Sequence, residues 1–135
     1  MEPVLKTYYE ALENDKILGL RCRECGAVEW PPVPTCNTCS STVMDWVEIE
    51  GTAIVEEFSP VSKAYTKPPF EKFAPLYMFK GYLKEGTYVM NMVLDVTPEI
   101  NDVVEQKLKD KETVNLVAKT LKLDDLNTVA FYLKD

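Results

Sequence analysis

At 135 residues the chain is long enough to bury a real core without covalent staples, and its 46% apolar and 27% charged residues fit a folded protein. A net charge of −7 argues against general binding to a phosphate polymer, where affinity comes from many cationic contacts. There is no histidine, which excludes Ser-His-Asp and Cys-His nucleophile systems and histidine-ligated catalytic zinc.

No run approaches the roughly 20 apolar residues of a membrane span, and the N-terminus lacks the basic-then-apolar pattern of a signal peptide. With the cysteines in metal-type spacing, a reducing cytoplasm is the expected compartment. Charge is uneven along the chain. Residues 1–60 hold 4 basic against 11 acidic groups, whereas residues 61–84 hold 5 lysines against Glu71 alone.

Residues 3–14 read as a short amphipathic helix, with Val4, Leu5, Tyr8, Tyr9 and Leu12 on one face. That face can pack on its own domain or dock on a partner. Ile17-Leu18-Gly19-Leu20 then leads as a strand into Cys22-Arg23-Glu24-Cys25-Gly26. Val28-Glu29-Trp30 leaves this turn, and Pro31-Pro32-Val33-Pro34 forms a stiff connector to Cys36-Asn37-Thr38-Cys39. All four cysteines of the chain lie in these two C-x-x-C pairs, ten residues apart. Each turn can aim two thiolates at one point, and two turns supply the corners of a tetrahedron around a single Zn²⁺. Cys22, Cys25, Cys36 and Cys39 are therefore the candidate ligands of one structural zinc, with two disulfides, four buried free thiols or bound iron as the alternatives. Four cysteine ligands close the coordination sphere and leave no position for water or substrate. Arg21 and Arg23 stand where they could offset the charge of the thiolates. Gly26 suits the left-handed position such a turn needs; Ser40, its counterpart after the second pair, fits less well.

From Trp46 the character turns to β. Trp46 to Val61 reads as one long strand bent or bulged at Gly51. A loop over 62–74 follows, then strands over 76–83 and 87–95 joined by a turn at Lys84-Glu85-Gly86. Thr97-Pro98-Glu99 carries a helix N-cap, a proline at the first helical position and an acid in the first turn, predicting a helix to about Lys109. Strands over 113–121 and 128–133 complete the chain. Five strands with a helix between the third and fourth match the oligonucleotide/oligosaccharide-binding (OB) barrel. The expected fold is thus mainly β: an N-terminal helix (1–16), a four-cysteine zinc ribbon with rubredoxin-like knuckles (17–43) and a five-stranded Greek-key OB-fold barrel (44–135).

An aromatic N-terminal helix, Gly-Leu-Arg-Cys-x-x-Cys-Gly, Trp-Pro-Pro before the second C-x-x-C, and a long glycine-containing strand together resemble the "domain of unknown function 35" proteins. The family's proline after the third cysteine and glycine after the fourth are Asn37 and Ser40 here. The resemblance implies a zinc-ribbon/OB-fold protein that binds a thiolase-superfamily subunit in a hetero-oligomer. It also implies support of acyl-CoA chemistry without supply of the catalytic cysteine and histidine. Settings it implies include an archaeal scaffold between acetoacetyl-CoA thiolase and HMG-CoA synthase, steroid side-chain aldolases, and benzoylsuccinyl-CoA thiolase.

The segment 62–74 interleaves Tyr65, Phe70 and Phe73 with Lys63, Lys67 and Lys72 on a proline-stiffened loop. These six residues are the candidates for contact with an acyl-CoA or with an acidic partner surface. Two other functions stay open: a single-strand nucleic-acid binder that stacks bases on aromatics, and an iron electron carrier of rubredoxin type.

Overall fold

The computed structural model describes residues 3–61, 76–123 and 126–134. The aromatic and lysine-rich segment singled out above, with Lys63, Tyr65, Lys67, Phe70, Lys72 and Phe73, lies outside the described residues.

The helix α1 (Pro3–Glu13) turns Tyr8 and Leu12 inward and leaves Leu5 and Tyr9 half exposed. It packs on its own protein, touching strands from both sheets. Its C-terminal end is pinned from the far side of the chain. Thr120 Oγ1 donates to Asp15 Oδ1 at 2.8 Å, and Lys122 Nζ reaches the Glu13 carbonyl at 3.1 Å. The Thr120 hydroxyl first, then the Lys122 charge, hold the Asp15 carboxyl below its ordinary range.

Three short strands, β1 (Leu18–Cys22), β2 (Val28–Glu29) and β3 (Met44–Glu48), form an antiparallel sheet in the order β2-β1-β3. The expected single strand from Trp46 to Val61 is in fact two. β3 pairs with β1 across five residues, whereas β4 (Thr52–Pro60) belongs to the barrel. The break falls at Gly51, whose φ of 103° ends one strand before the next begins. The expected bulge sits further on, between Val55 and Glu57. Sheet membership therefore changes between residues 48 and 52, a switch that composition could not reveal because both strands carry similar alternating residues.

Strands β4, β5 (Tyr77–Leu83), β6 (Tyr88–Val93), β7 (Asn115–Leu123) and β8 (Leu126–Leu133) close a barrel in the order β4-β5-β6-β8-β7. Between β6 and β7 runs the helix α2 (Pro98–Lys109), where the Thr97 side chain accepts from the Ile100 N–H as its N-cap. This is the five-stranded, helix-interrupted barrel expected from the sequence. Residues on β5 alternate buried and outward in strict period two, as a barrel wall requires.

Ribbon and barrel share one hydrophobic core that runs from Tyr8 and Leu12 through Trp30 to Phe79 and Phe131. Trp30, leaving β2, meets Phe131 edge-on at 6.1 Å, and Phe131 meets Phe79 at 4.8 Å. The Thr87 hydroxyl donates to the Val28 carbonyl at 2.7 Å, a second tie between the units. Within the barrel, β4 and β5 approach most closely at Gly81. A Cβ built there would collide with the Ile54 carbonyl oxygen, so no side chain fits without moving backbone. Gly81→Ala should lower unfolding free energy by about 2–4 kcal/mol, the range of forced overpacking and strain. Denaturant unfolding of the two proteins side by side checks this, with a loss under 0.5 kcal/mol counting against the close approach.

Candidate metal centre

The two knuckles are built alike, residue for residue. In the first, the Cys22 N–H donates to the Ala27 carbonyl and the Gly26 N–H to the Cys22 carbonyl, at 2.8 and 2.9 Å. In the second, the Cys36 N–H donates to the Ser41 carbonyl and the Ser40 N–H to the Cys36 carbonyl, both at 2.9 Å. Gly26 has φ 80° and Ser40 φ 68°, so both positions are left-handed. The misfit read at Ser40 is real: a residue with a Cβ occupies a conformation that costs it about 1–2 kcal/mol.

Each leading sulfur also accepts from the turn that follows it. The Cys25 N–H points at Cys22 Sγ from 3.5 Å and the Thr38 N–H at Cys36 Sγ from 3.4 Å. Backbone donors of this kind stabilise thiolate over thiol. The Cys25 N–H accordingly pulls Cys22 down to about 6, and the N–H groups of Cys39 and Thr38 lower Cys36. The trailing pair behaves differently. At Cys25 the Ala27 N–H draws the thiol down most strongly of any one group, but the Cys36 sulfur, desolvation and the Cys22 sulfur together outweigh it and the net shift is upward. At Cys39 the Ser41 N–H acts downward, yet Cys22 and the other sulfurs push it up to about 12.

The four sulfurs all lie within 4.8 Å of one another, with Cys22–Cys39 at 3.4 Å and Cys25–Cys36 at 3.5 Å. A tetrahedron with Zn–S bonds near 2.3 Å has edges of about 3.8 Å, so the donor set fits one zinc ion. The cysteines are free thiols rather than disulfides in this geometry. Cys22 and Cys36 are buried, and Cys25 and Cys39 face outward. Zinc held here would brace the fold, since four thiolates leave it no open coordination position. Arg23, read as an offset to thiolate charge, donates its Nε to both oxygens of Asp45 on β3 at 2.9 and 2.8 Å. That hydrogen bond holds the Asp45 carboxyl below its ordinary range. Both partners are well exposed, so the pair adds little to stability.

The sequence reading did not anticipate a small cleft of about 180 Å³ beside the ribbon, lined by Tyr8, Tyr9, Trp30, Pro31 and Asn127 among others. Burial pushes the Tyr8 hydroxyl up to about 12 against a smaller downward pull from the neighbouring Trp30 indole. The indole Nε1 is buried and reaches hydrogen-bond geometry with no partner.

Purified protein should carry one zinc per chain by metal analysis and stay colourless; visible absorbance from iron would overturn the assignment. Cys25→Ser should lose the ion and unfold the ribbon, read as metal content and far-ultraviolet dichroism. Ser40→Gly should raise stability by about 0.5–1 kcal/mol, the relief of left-handed strain less the entropy of a new glycine.

Residues 10–45, the segment just described, match the family profile described as ChsH2, rubredoxin-like zinc ribbon domain. A DUF35 domain-containing scaffold protein of Methanocaldococcus jannaschii is 29% identical over 97 residues, 71% of this chain and 67% of that one. A probable enoyl-CoA hydratase alpha subunit of Thermomonospora curvata is 29% identical over 92 residues, 68% of this chain but only 28% of that longer protein. Among solved structures, the Ltp2-ChsH2(DUF35) aldolase aligns over 98% of this chain and 96% of its own, with a TM-score of 0.67 at 24% identity. A protein of unknown function from the DUF35 family of Sulfolobus solfataricus aligns over 99% of this chain and 87% of its own, with a TM-score of 0.58 at 18% identity. The chain thus carries a rubredoxin-like zinc ribbon matched by that profile, joined to a five-stranded barrel, and is similar over most of its length to DUF35 proteins.

Proposed function

We propose that this chain is a zinc-braced accessory subunit of a thiolase-type acyl-CoA enzyme, shaping or joining a catalytic partner and performing no chemistry itself. One observation carries the reading. All four cysteines converge on a single closed site, and the 135 residues contain no histidine, so a cysteine nucleophile and histidine base for thioester chemistry would come from outside them. Among the described residues no Asp, Glu, Lys or Arg side chain is buried, so the described core offers no hidden carboxylate or amine to serve as acid or base. The relatives support the same reading: one is named a scaffold protein, one an aldolase with two named components, and one a subunit of an enoyl-CoA hydratase.

Within that reading, the partner is a thiolase-superfamily subunit, in a complex such as benzoylsuccinyl-CoA thiolase or acetoacetyl-CoA thiolase with HMG-CoA synthase. Lys63, Tyr65, Lys67, Phe70, Lys72 and Phe73 cover the acyl-CoA or grip the partner, and the complex works in a reducing cytoplasm. One feature favours a different function. Tyr82 and Tyr88 stand exposed on β5 and β6, the strands on which OB barrels present surfaces to oligonucleotides. Against it, the one lysine on those two strands, Lys80 on β5, is paired with Glu57 at 3.5 Å, and the chain as a whole is acidic.

The isolated chain should neither cleave nor condense acyl-CoA thioesters, while co-expression with its thiolase-superfamily partner should give a co-eluting, active complex. Thioester turnover by the chain alone, at a rate scaling with its concentration, would defeat the proposal. Retarded migration of a labelled single-stranded oligonucleotide at micromolar protein, lost at high salt, would favour the alternative.

A further inference from the structure

Four large apolar side chains exposed on the protein are not scattered but form one row on the outer wall of the barrel. Ile54 on β4 stands opposite Tyr82 on β5, and Tyr82 stands opposite Tyr88 on β6. Met90 follows Tyr88 two residues along the same face, opposite Lys80. They are 49%, 44%, 52% and 59% exposed in that order, and the two tyrosine rings meet edge-on at 5.5 Å. A groove of about 620 Å³ continues from Met90 past Lys80 and Met78 to Glu57. The close approach of β4 to β5 at Gly81 brings Ile54 and Tyr82 side by side.

Four such side chains half exposed present about 400 Å² of contiguous apolar surface, at the size where patches on single proteins mark interaction sites. That area is also close to the non-polar half of a standard footprint of roughly 800 Å² per partner. Paired tyrosines are the kind of rigid anchor that dominates such interfaces. Charge decides what covers it. Lys80 is tied to Glu57, and Glu56 on the bulge makes no ion pair among the described residues, so the border of the row is acidic at its Glu56 end, while Lys84 and Lys134 stand with Glu50 about Thr52 at the other end. A nucleic acid would meet this acidic border unfavourably, and a second copy would bring another net charge of −7 against the first.

We propose that the Ile54–Tyr82–Tyr88–Met90 row is where the catalytic partner docks, through an apolar patch bordered by lysine or arginine. This rests on the reading of the chain as an accessory subunit and adds to it a docking surface separate from the 62–74 segment. The partner buries both tyrosines at the centre of the contact and answers Glu56 from its rim.

The test compares wild type, Tyr88→Lys/Met90→Lys and Ile54→Lys, with Val103→Lys on α2 as the control for an exposed apolar residue outside the row. Each is co-expressed with the thiolase-superfamily subunit, and affinity is measured by calorimetry on proteins shown to keep their zinc and their thermal midpoint. The double variant should bind at least 100-fold more weakly, Ile54→Lys about 10-fold more weakly, and Val103→Lys within 3-fold of wild type. Wild type that binds, with a double variant within 3-fold of it, overturns the docking row and leaves the accessory role standing. Wild type that binds no thiolase-superfamily subunit overturns both. A wild-type dimer on sedimentation that the double variant turns monomeric assigns the row to a second copy and overturns the proposal. Binding of a labelled oligonucleotide that the double variant abolishes overturns it in favour of nucleic acid.

Discussion

Four sulfur atoms held within 4.8 Å of one another cannot all carry charge unless a cation sits among them. The backbone of the two knuckles sets the problem up. N–H groups favour thiolate at Cys22 and Cys36, and that same crowding disfavours it at Cys25 and Cys39. Four thiolates can share this space only around a cation, so affinity for the ion and stability of the ribbon are one quantity. The knuckles contain little else that could hold their shape. The residues inside each C-x-x-C turn, Arg23, Glu24, Asn37 and Thr38, are all exposed, and β2 is only two residues long.

The brace would matter less if the ribbon were a detached appendage. Trp30 prevents that. It leaves β2 directly into the stiff proline connector between the knuckles, and its ring closes on Phe131 in the barrel wall. Tyr8 and Leu12 from α1 join the same cluster. Loss of the metal would therefore release the connector that holds Trp30 in place and, with it, one side of a core shared with the barrel. Large aromatic side chains dominate the energetics of such cores. Their burial couples a surface site to the whole fold.

What the sequence made legible follows from how local each signal is. The C-x-x-C turns, the strain at Ser40, the N-cap at Thr97 and the hairpin at Gly86 each depend on a few adjacent residues, and each stands in the structure as read. The barrel was legible because its strands and single helix come in a characteristic order. The assignment of β3 to the ribbon was not, since pairing of Leu20 with Trp46 spans 26 positions and leaves no trace in local composition. The apolar row was hidden for the same reason. Ile54, Tyr82 and Tyr88 look like ordinary alternation in three separate strands, and only cross-strand register puts them side by side.

The surface then divides according to where backbone remains open. Among the described strands, only the ribbon sheet has edges. On β3 the peptide groups of Met44, Trp46 and Glu48 point away from β1, because the neighbouring residues make the ladder bonds, as Val43 does with Arg23 and Ile49 with Ile17. That edge is only five residues long and carries Asp45 and Glu48, the short and charged form by which proteins discourage strand addition. The barrel strands β4 to β8 close on themselves, with β6 meeting β8 at the single pair Val93 and Phe131. On the wall formed by β4, β5 and β6 the exposed row is of apolar side chains on strands paired with one another. A partner recognised on this wall would meet shape and apolar area rather than unpaired peptide groups. Recognition of that kind depends on a rigid wall, and the shared core behind Phe79 and Phe131 supplies the rigidity.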